Sequence, residues 1–514
     1  MRTPALMVLG TGSHVGKSVL TAGLCRLFRQ QGLRVAPFKA QNMSLNSAAA
    51  EGGEIGRAQA VQAAACGLRP SVDMNPVLLK PTSAGRCQLI VRGRPRGTIA
   101  SSDHGCYSSE VIEAIVASYQ RLAATVDLMV LEGAGSAAEI NLLDRDVANL
   151  WMAERADAAC LLVADIERGG AFAALYGTWT LAPNHHRIQG FVLNKFRGEP
   201  PLLATGIERI QKMTGVPTLA VLPFFEPNHG PCLPEEDSLG LPPLVSGAEA
   251  FGDAASGELR VGVLRFPHLA NFTDFDPLRN EPGVALRYIW SPEAIADADV
   301  LILPGTKATV ADLETLRANG LDVALRRAVK LGTPLLGICG GYQMLGSRIS
   351  DPEHVEGTCA DAAGLNLLPV RTVFVPDKLV GRVHGHVVGT QIPVEGYEIH
   401  HGRVMRHGGA AWFQLMLDPD QLEGCMLDRV WGSSFHGLFD ADEFRAYALA
   451  AWRQWTGRPV ARACAERNER AFCSLDARLD HWAEFLRPHF DVGSLLALAR
   501  QPSAAAGGQG ASRA

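Results

Sequence analysis

The sequence predicts an α/β protein with two domains, the first of which carries a doubly wound parallel sheet and a phosphate-binding loop. Short apolar runs, typical of buried parallel strands, alternate with segments of helical spacing along both halves of the 514-residue chain. A loop ending in Gly-Lys-Ser follows the first run, and a cysteine flanked by glycines follows a run in the second half. We therefore expect one chemical centre in each half.

Residues 10–18 read GTGSHVGKS and lie between an apolar run at 5–9 and a helical pattern at 19–31. In this setting backbone N–H groups and the helix N-terminus face an anion, Lys17 reaches the β- and γ-phosphates, and the Ser18 hydroxyl can bind Mg²⁺. The predicted nucleotide-binding residues of the loop are Gly12, Val15, Gly16, Lys17 and Ser18. The usual pattern has glycine at position 11, where this chain has threonine, so an ordinary glycine-rich turn is the alternative.

The first half is expected to cover residues 1–225. Its predicted strands lie at 5–9, 34–38, 128–132, 159–164, 190–194 and 218–222. Helical patterns lie between these strands, an alternation that favours a parallel, doubly wound sheet. Residues 226–258 are rich in Pro, Gly and Glu, which predicts a linker.

The second half is expected to cover residues 259–500. Its predicted strands lie at 259–264, 284–289, 300–303, 334–338 and 429–431. Several β-rich pieces follow between 368 and 405, and helical patterns run to about residue 498. Residues 501–514 consist mainly of Ala, Gly and Ser, which predicts a disordered tail.

The composition limits the class of partner. A net charge of −5 gives no sign of the basic surface that nucleic acids bind, so we expect no nucleic-acid partner. Eleven cysteines occur without a Cys-x-x-Cys pair, which argues against a disulfide framework and fits a reducing, cytoplasmic location. We expect no signal peptide, no membrane-spanning segment and no membrane partner, and the oligomeric state stays open. Four histidines are spaced wrongly for a compact metal site: His384, His386, His400 and His401.

Residues 334–346 read PLLGICGGYQMLG, so an apolar strand runs directly into Cys339 and a helix follows. The flanking glycines permit the strained turn of a nucleophile elbow, and a helix N-terminus behind the sulfur favours the thiolate. A cysteine nucleophile needs a base, and His436, between a strand and a helical segment, is the predicted partner. A buried structural cysteine and a structural histidine are the alternatives.

The elbow pattern Gly-x-Cys-x-Gly-x-Gln resembles the triad-type, or class I, glutamine amidotransferases, which implies a flavodoxin-like α/β fold for the second domain. Those enzymes usually carry Glu two residues after the histidine, where this chain has Leu438, a departure that the cobyrinate-amidating branch shares. The first half is similar to dethiobiotin-synthetase-type ATP-dependent ligases. It shares their longer phosphate loop, Lys39 on the second strand and the sequence VLEGAG at 130–135.

Within that branch the chain resembles the cobyric acid synthase family over nearly its whole length. The segments that carry the resemblance are 38–47 (FKAQNMSLNS), 54–59 (EIGRAQ), 73–81 (DMNPVLLKP), 165–172 (DIERGGAF), 193–198 (LNKFRG) and 396–403 (GYEIHHGR). The resemblance implies a ligase of cobalamin biosynthesis that uses ATP, Mg²⁺ and L-glutamine. It would amidate the b, d, e and g carboxylates of a corrinoid, adenosylcobyrinic acid a,c-diamide, to give adenosylcobyric acid.

Each residue then has an expected role. Cys339 attacks the glutamine carboxamide, His436 transfers protons, and the backbone N–H groups of Gly305 and Gly340 hold the oxyanion. Ser18 and Glu132 are expected to bind Mg²⁺, although an acidic residue at a strand end can instead cap the next helix. The other candidates are Asn194 for adenine, and Lys39, Asn42, Lys80 and Asp165 for phosphate or substrate.

Three alternatives remain. One is the same chemistry on a different substrate, as in a cobyrinic acid a,c-diamide synthase or another carboxylate amidoligase. Another is a ParA/MinD-like ATPase switch, which carries a lysine where this chain has Gly12. The last is a scaffold with an inactive amidotransferase half, suggested by Leu438.

Overall fold

The computed structural model describes residues 2–82, 85–100, 107–225, 250–252, 254–255, 257–357, 360–418, 420–458 and 475–501. Most of the linker predicted at 226–258, and the predicted tail from residue 502 onward, lie outside the described residues. Each half of the chain folds around its own parallel sheet. Among the described helices, none combines the length and the apolar character needed to cross a membrane.

The first sheet has six parallel strands, and every strand predicted for the first half belongs to it. Their order across the sheet is Thr218–Pro223, Ile188–Phe196, Ala159–Asp165, Ala5–Gly10, Leu128–Glu132 and Val35–Phe38. Met7 and Leu9 pack into one apolar core and Leu6 and Val8 into another. Because both faces of the sheet are covered, its strands read as unbroken apolar runs.

The chain between the second and third of these strands in sequence departs from the prediction of helices alone. It forms a four-stranded sheet of Gln41–Met43, Val77–Thr82, Arg86–Val91 and Arg94–Ala100, and a hairpin of Ser47–Ala50 with Gly53–Gly56. The hairpin sequence Ser-Ala-Ala-Ala suits a helix, but Gly52 and Gly53 turn the chain back with φ angles of +94° and +151°. The helices of the first half are Lys17–Gln30, Arg57–Ala65, Ser109–Ala123, Leu150–Ala156, Ala171–Leu181 and Ala204–Thr214.

The second sheet contains every strand predicted for the core of the second half. Its order is Val284–Ile289, Leu259–Leu264, Val300–Leu303, Leu335–Ile338, Val430–Ser433 and Cys425–Leu427, and only the last strand is antiparallel. The helices of this half up to residue 458 are Asp276–Arg279, Pro292–Asp297, Thr309–Ala318, Leu321–Lys330, Gly340–Leu345 and Asp442–Thr456. The carboxyl end of Leu335–Ile338 leads directly into Cys339.

A second layer of strands accounts for the β-rich pieces predicted after residue 368. Two long antiparallel strands, Val370–Val387 and Pro393–Arg406, form its centre. Shorter strands extend it: Arg348–Ser350, Asp361–Ala363, Phe413–Leu415 and Leu422–Glu423. These two strands are long enough to reach the first domain, where Tyr397 and Ile399 pack with Ala49.

The last two helices, Leu475–Leu486 and Val492–Arg500, pack on the first domain although they fall in the range expected for the second. Trp482 and Leu486 share an apolar core with the helix Lys17–Gln30, and Trp482 Nε1 donates to the Val19 carbonyl at 2.8 Å. A Cβ on Gly23 would lie 2.2 Å from Leu486 Cδ1, so only glycine permits this approach. The amphipathic pattern predicted the helices, but it could not reveal which core they cover.

Replacing Trp482 by alanine is expected to lower the free energy of unfolding by about 3 kcal/mol, because a large buried side chain and a hydrogen bond are both lost. Urea unfolding followed by circular dichroism measures the change. The control Leu202→Ala, at a residue that is 75% exposed, should shift the free energy by less than about 0.5 kcal/mol. Equal effects of the two substitutions would contradict the packing described here.

Candidate active sites

The phosphate loop lies between the strand Ala5–Gly10 and the helix Lys17–Gln30. Lys17 Nζ donates to the carbonyl oxygens of Gly12 and Gly135, each at 2.8 Å, so its ammonium group lies across the loop. Asn194 Nδ2 donates to the Val15 carbonyl at 2.8 Å. Gly16 has a φ of +99°, and a Cβ there would lie 2.2 Å from Asn194 Nδ2. The structure thus brings the predicted nucleotide-binding residues together, with the Asn194 amide directed at the loop backbone.

Glu132 lies at the end of its strand, fully buried, beside the phosphate loop. Its carboxylate accepts from Ser18 Oγ at 2.7 Å, Lys39 Nζ at 2.9 Å and Gln62 Nε2 at 2.5 Å. These donors offset the cost of burying a carboxylate. A serine hydroxyl and a carboxylate next to a phosphate cradle are the hard oxygen donors that Mg²⁺ prefers, so the residues fit the ion. Gln62, on the helix Arg57–Ala65, was not predicted, because a glutamine in an Ala/Gln-rich helix carries no distinctive signal.

Asp165 lies at the end of the neighbouring strand and is engaged in an ion pair. Its Oδ2 accepts from Lys195 Nζ at 2.7 Å, and the same ammonium donates to the His14 carbonyl at 2.9 Å. Asp165 therefore reaches the outer side of the phosphate loop through Lys195.

Lys80 and Asn42 lie on the small four-stranded sheet, and the structure places Lys80 at the cysteine centre. Lys80 Nζ donates to Glu54 Oε2 at 2.5 Å and to Ser47 Oγ at 2.7 Å, while Asn42 Nδ2 donates to Gln59 Oε1 at 3.0 Å. Burial lowers the pKa of Lys80 to about 7, with the charge of Glu54 opposing that shift. Lys80 lines the same pocket as the elbow cysteine Cys339. The sequence did not predict this, because the two residues lie far apart along the chain.

Cys339 occupies a nucleophile elbow, as predicted. It is a non-glycine residue with a φ of +49°, and it is 7% exposed between its strand and the helix Gly340–Leu345. A Cβ on Gly341 would lie 2.0 Å from the Leu303 carbonyl oxygen, so the tight turn requires glycine there. Burial alone raises the pKa of the Cys339 thiol, but the charge and hydrogen bond of His436 outweigh it and lower the pKa below its usual value.

His436 is buried beside Cys339 and has an acidic partner that the sequence did not reveal. Its Nδ1 lies 2.6 Å from Asp274 Oδ2, and Gly437 N donates to the other oxygen of Asp274 at 3.1 Å. Burial lowers the pKa of His436, but Asp274 and Cys339 raise it to about 10. Asp274 thus places a carboxylate at His436, which in the usual motif comes from a Glu at the position of Leu438. It lies in the turn Phe272–Phe275, 162 positions from His436, and no local pattern in the sequence marks it as a partner of that histidine.

The two glycines predicted for the oxyanion site lie close to this centre. A Cβ on Gly305 would lie 2.8 Å from His436 Cε1, and a Cβ on Gly340 would lie 3.0 Å from the backbone N of Thr306. Both positions therefore exclude a larger residue next to the cysteine and histidine.

The pocket around Cys339 is lined by both domains. The first domain contributes Leu45, Ser47 and Lys80, and the second contributes charged side chains that include Lys307, Glu356 and Lys378. Glu54 of the first domain is fully buried and pairs with both Lys80 and Lys378. His401 also lines the pocket, and within the described part of the chain its buried Nε2 has no hydrogen-bond partner. Burial lowers the pKa of His401 to about 4, so this ring is neutral at physiological pH.

Two family models match the chain, one in each half. A model described as a CobQ/CobB/MinD/ParA nucleotide binding domain matches residues 6–228, and one described as a CobB/CobQ-like glutamine amidotransferase domain matches residues 260–444. They confirm the predicted α/β class of a P-loop domain followed by a glutamine amidotransferase domain. The first description also covers MinD and ParA proteins, so it does not by itself exclude a switch ATPase.

Full-length relatives remove that ambiguity. The cobyric acid synthase of Syntrophobacter fumaroxidans is 44% identical over 508 residues, which are 96% of this chain and 98% of the relative. That of Pelotomaculum thermopropionicum is 44% identical over 520 residues, 97% of each chain. That of Salmonella dublin is 41% identical over 522 residues, 97% of this chain and 99% of the relative. Because these matches include both domains, the chain belongs to the cobyric acid synthase family, whose members are glutamine-dependent ligases.

Proposed function

We propose that this protein amidates the b, d, e and g carboxylates of adenosylcobyrinic acid a,c-diamide, using ATP and glutamine, to give adenosylcobyric acid in cobalamin biosynthesis. The observation that carries the proposal is the pocket around Cys339, because its walls come from the nucleotide-binding domain as well as from the amidotransferase domain. A glutaminase pocket closed by the ligase domain suits an enzyme that makes ammonia at one site and uses it at another.

The nucleotide-binding domain would activate the carboxylate. A carboxylate is a poor electrophile because its leaving group would be oxide, and phosphorylation by ATP turns it into an acyl phosphate that ammonia can attack. Lys17 would stabilise charge on the transferred phosphoryl group. Ser18 and Glu132 would hold Mg²⁺, and Lys39, hydrogen-bonded to Glu132 at 2.9 Å, would neutralise phosphate charge. Asn194 would hold the loop in shape beside the adenine. Asp165 and Asn42 would contact the phosphates or the substrate.

The amidotransferase domain would release ammonia from glutamine. The Cys339 thiolate attacks the carboxamide carbon, and the N–H groups of Gly305 and Gly340 hold the oxyanion. His436 gives its proton to the departing amine, which leaves as ammonia while a glutamyl thioester remains. His436 then takes a proton from water, whose oxygen attacks the thioester and releases glutamate and the thiolate. Asp274 would hold the imidazole in the required orientation and stabilise its cation.

The charges of the pocket suit free glutamine. Lys307 and Lys378 would attract its α-carboxylate, and Glu356 its α-ammonium group. Glu356 Oε2 is held by the Thr309 backbone N–H at 3.0 Å, which would fix the carboxylate for that contact.

Ammonia would leave the pocket through the wall that the first domain supplies. In neutral water most ammonia is protonated and loses its nucleophilic lone pair, so an enclosed passage preserves it. Ser47 and Lys80 form that wall. The strand of Lys80 pairs with the strand Gln41–Met43, which contains Asn42 and follows Lys39 near the phosphate loop.

A cytoplasmic location follows from the same chemistry. The proposed reaction needs ATP, glutamine and a reduced Cys339 thiol, all of which the cytoplasm supplies.

The substrate is tested by incubating the protein with ATP, Mg²⁺, glutamine and purified corrinoids and following the product by mass spectrometry. Stepwise conversion of the a,c-diamide through four amidations is expected. Conversion of cobyrinic acid to the a,c-diamide, with no further step, would instead identify an a,c-diamide synthase.

Cys339→Ala is expected to abolish glutamine-dependent amidation and to leave amidation with added ammonium within about twofold of the wild type, because only the nucleophile is lost. Initial rates with each nitrogen source measure the effect. Loss of both activities in a variant with a wild-type circular dichroism spectrum would contradict the assigned division of labour.

Lys17→Ala is expected to give the opposite pattern. Without the ammonium group that faces the phosphates, amidation should fall on the order of 100-fold with either nitrogen source. Glutamine hydrolysis, measured as glutamate release in the absence of ATP, should persist because Cys339 and His436 are untouched. Normal amidation by this variant would refute the role of the loop.

Asp274→Asn is expected to lower glutamine hydrolysis on the order of 100-fold or more, because a neutral amide no longer stabilises the imidazolium. Asp274 raises the pKa of His436, so its loss lets burial lower that pKa. Cys339 then loses its cationic neighbour and its own pKa rises, which reduces the thiolate fraction at pH 7. The rate of Cys339 alkylation against pH measures this, and an unchanged profile would exclude Asp274 from the site.

A further inference from the structure

The helix Arg57–Ala65 of the first domain lies between the two centres and has no role in the mechanism above. Its last turns face the phosphate loop, where Gln62 Nε2 donates to Glu132 Oε2 at 2.5 Å and to the Ser18 carbonyl at 3.3 Å. Its first residue, Arg57, faces the second domain, where one of its terminal nitrogens (NH2) donates to Asp440 Oδ2 at 3.1 Å. One short helix therefore contacts the phosphate loop with its last turns and the second domain with its first residue.

Arg57 also contacts the aromatic ring beside the catalytic histidine. Its guanidinium carbon lies 5.6 Å from the centroid of the Tyr397 ring, within the range of a cation–π contact. Tyr397 is 6% exposed and is held from both domains, since it packs with Ala49 and its hydroxyl accepts from Asn271 Nδ2 at 3.1 Å. Asn271 in turn hydrogen-bonds the backbone of Ser47. Contacts from the first domain thus contribute to holding this ring in place.

Tyr397 in turn holds His436. The two rings are stacked, with centroids 5.5 Å apart and planes 24° from parallel. Their backbones also exchange hydrogen bonds, from Tyr397 N to the His436 carbonyl at 3.1 Å and from His436 N to the Tyr397 carbonyl at 2.8 Å. A displacement of Tyr397 would therefore displace the imidazole that must reach Cys339.

The charge of Arg57 fits the same place. Burial lowers the pKa of Arg57, but the neighbouring Tyr397, Asp440 and Asp274 raise it above its usual value, so these groups stabilise the cation. Arg57 is the cation that the first domain brings towards the carboxylate that orients His436.

We propose that Arg57 is a positioning residue for glutamine hydrolysis, through which the nucleotide-binding domain completes the amidotransferase site by holding Tyr397 against His436. The inference rests on the proposed function, because it assumes that Cys339 and His436 hydrolyse glutamine. It goes beyond that function in assigning part of the glutaminase geometry to the other domain. Arg57 touches neither glutamine nor the reacting atoms, so it acts through Tyr397 and Asp440.

The test is Arg57→Ala in the full-length chain. Glutamine hydrolysis and glutamine-dependent amidation should fall on the order of 10-fold or more through kcat, because a small displacement of a catalytic group costs this much. The KM for glutamine and the rate of amidation with added ammonium should stay within about twofold of the wild type. Alkylation of Cys339 by iodoacetamide at pH 7, followed by peptide mass spectrometry, should slow in parallel because His436 no longer lies against the sulfur.

Two further variants make the result specific. Arg57→Lys keeps a cation over the ring and should recover part of the lost hydrolysis. Arg34→Ala removes an arginine of the same domain from an exposed pair with Asp127, at 2.6 Å, and should change none of these rates.

Two outcomes would overturn the proposal: an unchanged rate of glutamine hydrolysis in Arg57→Ala, or an equal fall with glutamine and with ammonium. The latter would show a structural role only. A wild-type chain that hydrolyses glutamine but amidates no corrinoid would contradict the proposed function instead, and hydrolysis and alkylation by Arg57→Ala would still decide the role of Arg57.

Discussion

Glu54 is a fully buried carboxylate at the junction of the two domains, and the architecture of the pocket around Cys339 depends on its two ion pairs. One partner, Lys80, comes from its own domain and the other, Lys378, from the amidotransferase domain. Burying a carboxylate costs several kcal/mol unless opposite charges compensate it. Lys80 and Lys378 both reach Glu54 only when the two domains are docked correctly. Both lysines also line the pocket around Cys339. The ion pairs that join the two domains therefore also fix side chains that line the pocket.

The same docking explains how a thiolate can exist in a buried site. Burial disfavours every isolated charge in the pocket, and it acts against both Cys339 and His436. Asp274 raises the pKa of His436 in spite of burial, and His436 lowers the pKa of Cys339 in spite of burial. The imidazolium of His436 stabilises the Cys339 thiolate only if the ring is held next to the sulfur. The surrounding protein must therefore fix the position of the His436 ring as well as its charge. Part of the surface that holds its neighbour Tyr397 belongs to the first domain.

Local patterns predicted the features that local physics determines. Apolar runs located all six strands of the first central sheet and the five parallel strands of the second, but not its antiparallel edge strand Cys425–Leu427. Glycines around Cys339 and Lys17 located the elbow and the phosphate loop. Long-range features were not predictable in this way. The hairpin Ser47–Ala50 with Gly53–Gly56 has a helix-forming sequence and pairs as strands, and the last two helices cover the core of the first domain. Asp274 lies 162 positions from its histidine, so no spacing rule connects them.

The position of Asp274 also explains why the chain does without the usual glutamate two residues after the histidine. Leu438 stands at that place and is fully buried in the apolar core of the second domain. A carboxylate there would be removed from water without a partner, because the Nδ1 side of His436 is already occupied at 2.6 Å by Asp274. The acid is supplied from the turn Phe272–Phe275, and the leucine adds to the core instead. What the chemistry requires is a carboxylate at the imidazole Nδ1, and the fold satisfies that requirement from a distant part of the chain. Leucine at 438 is therefore no argument for an inactive amidotransferase half.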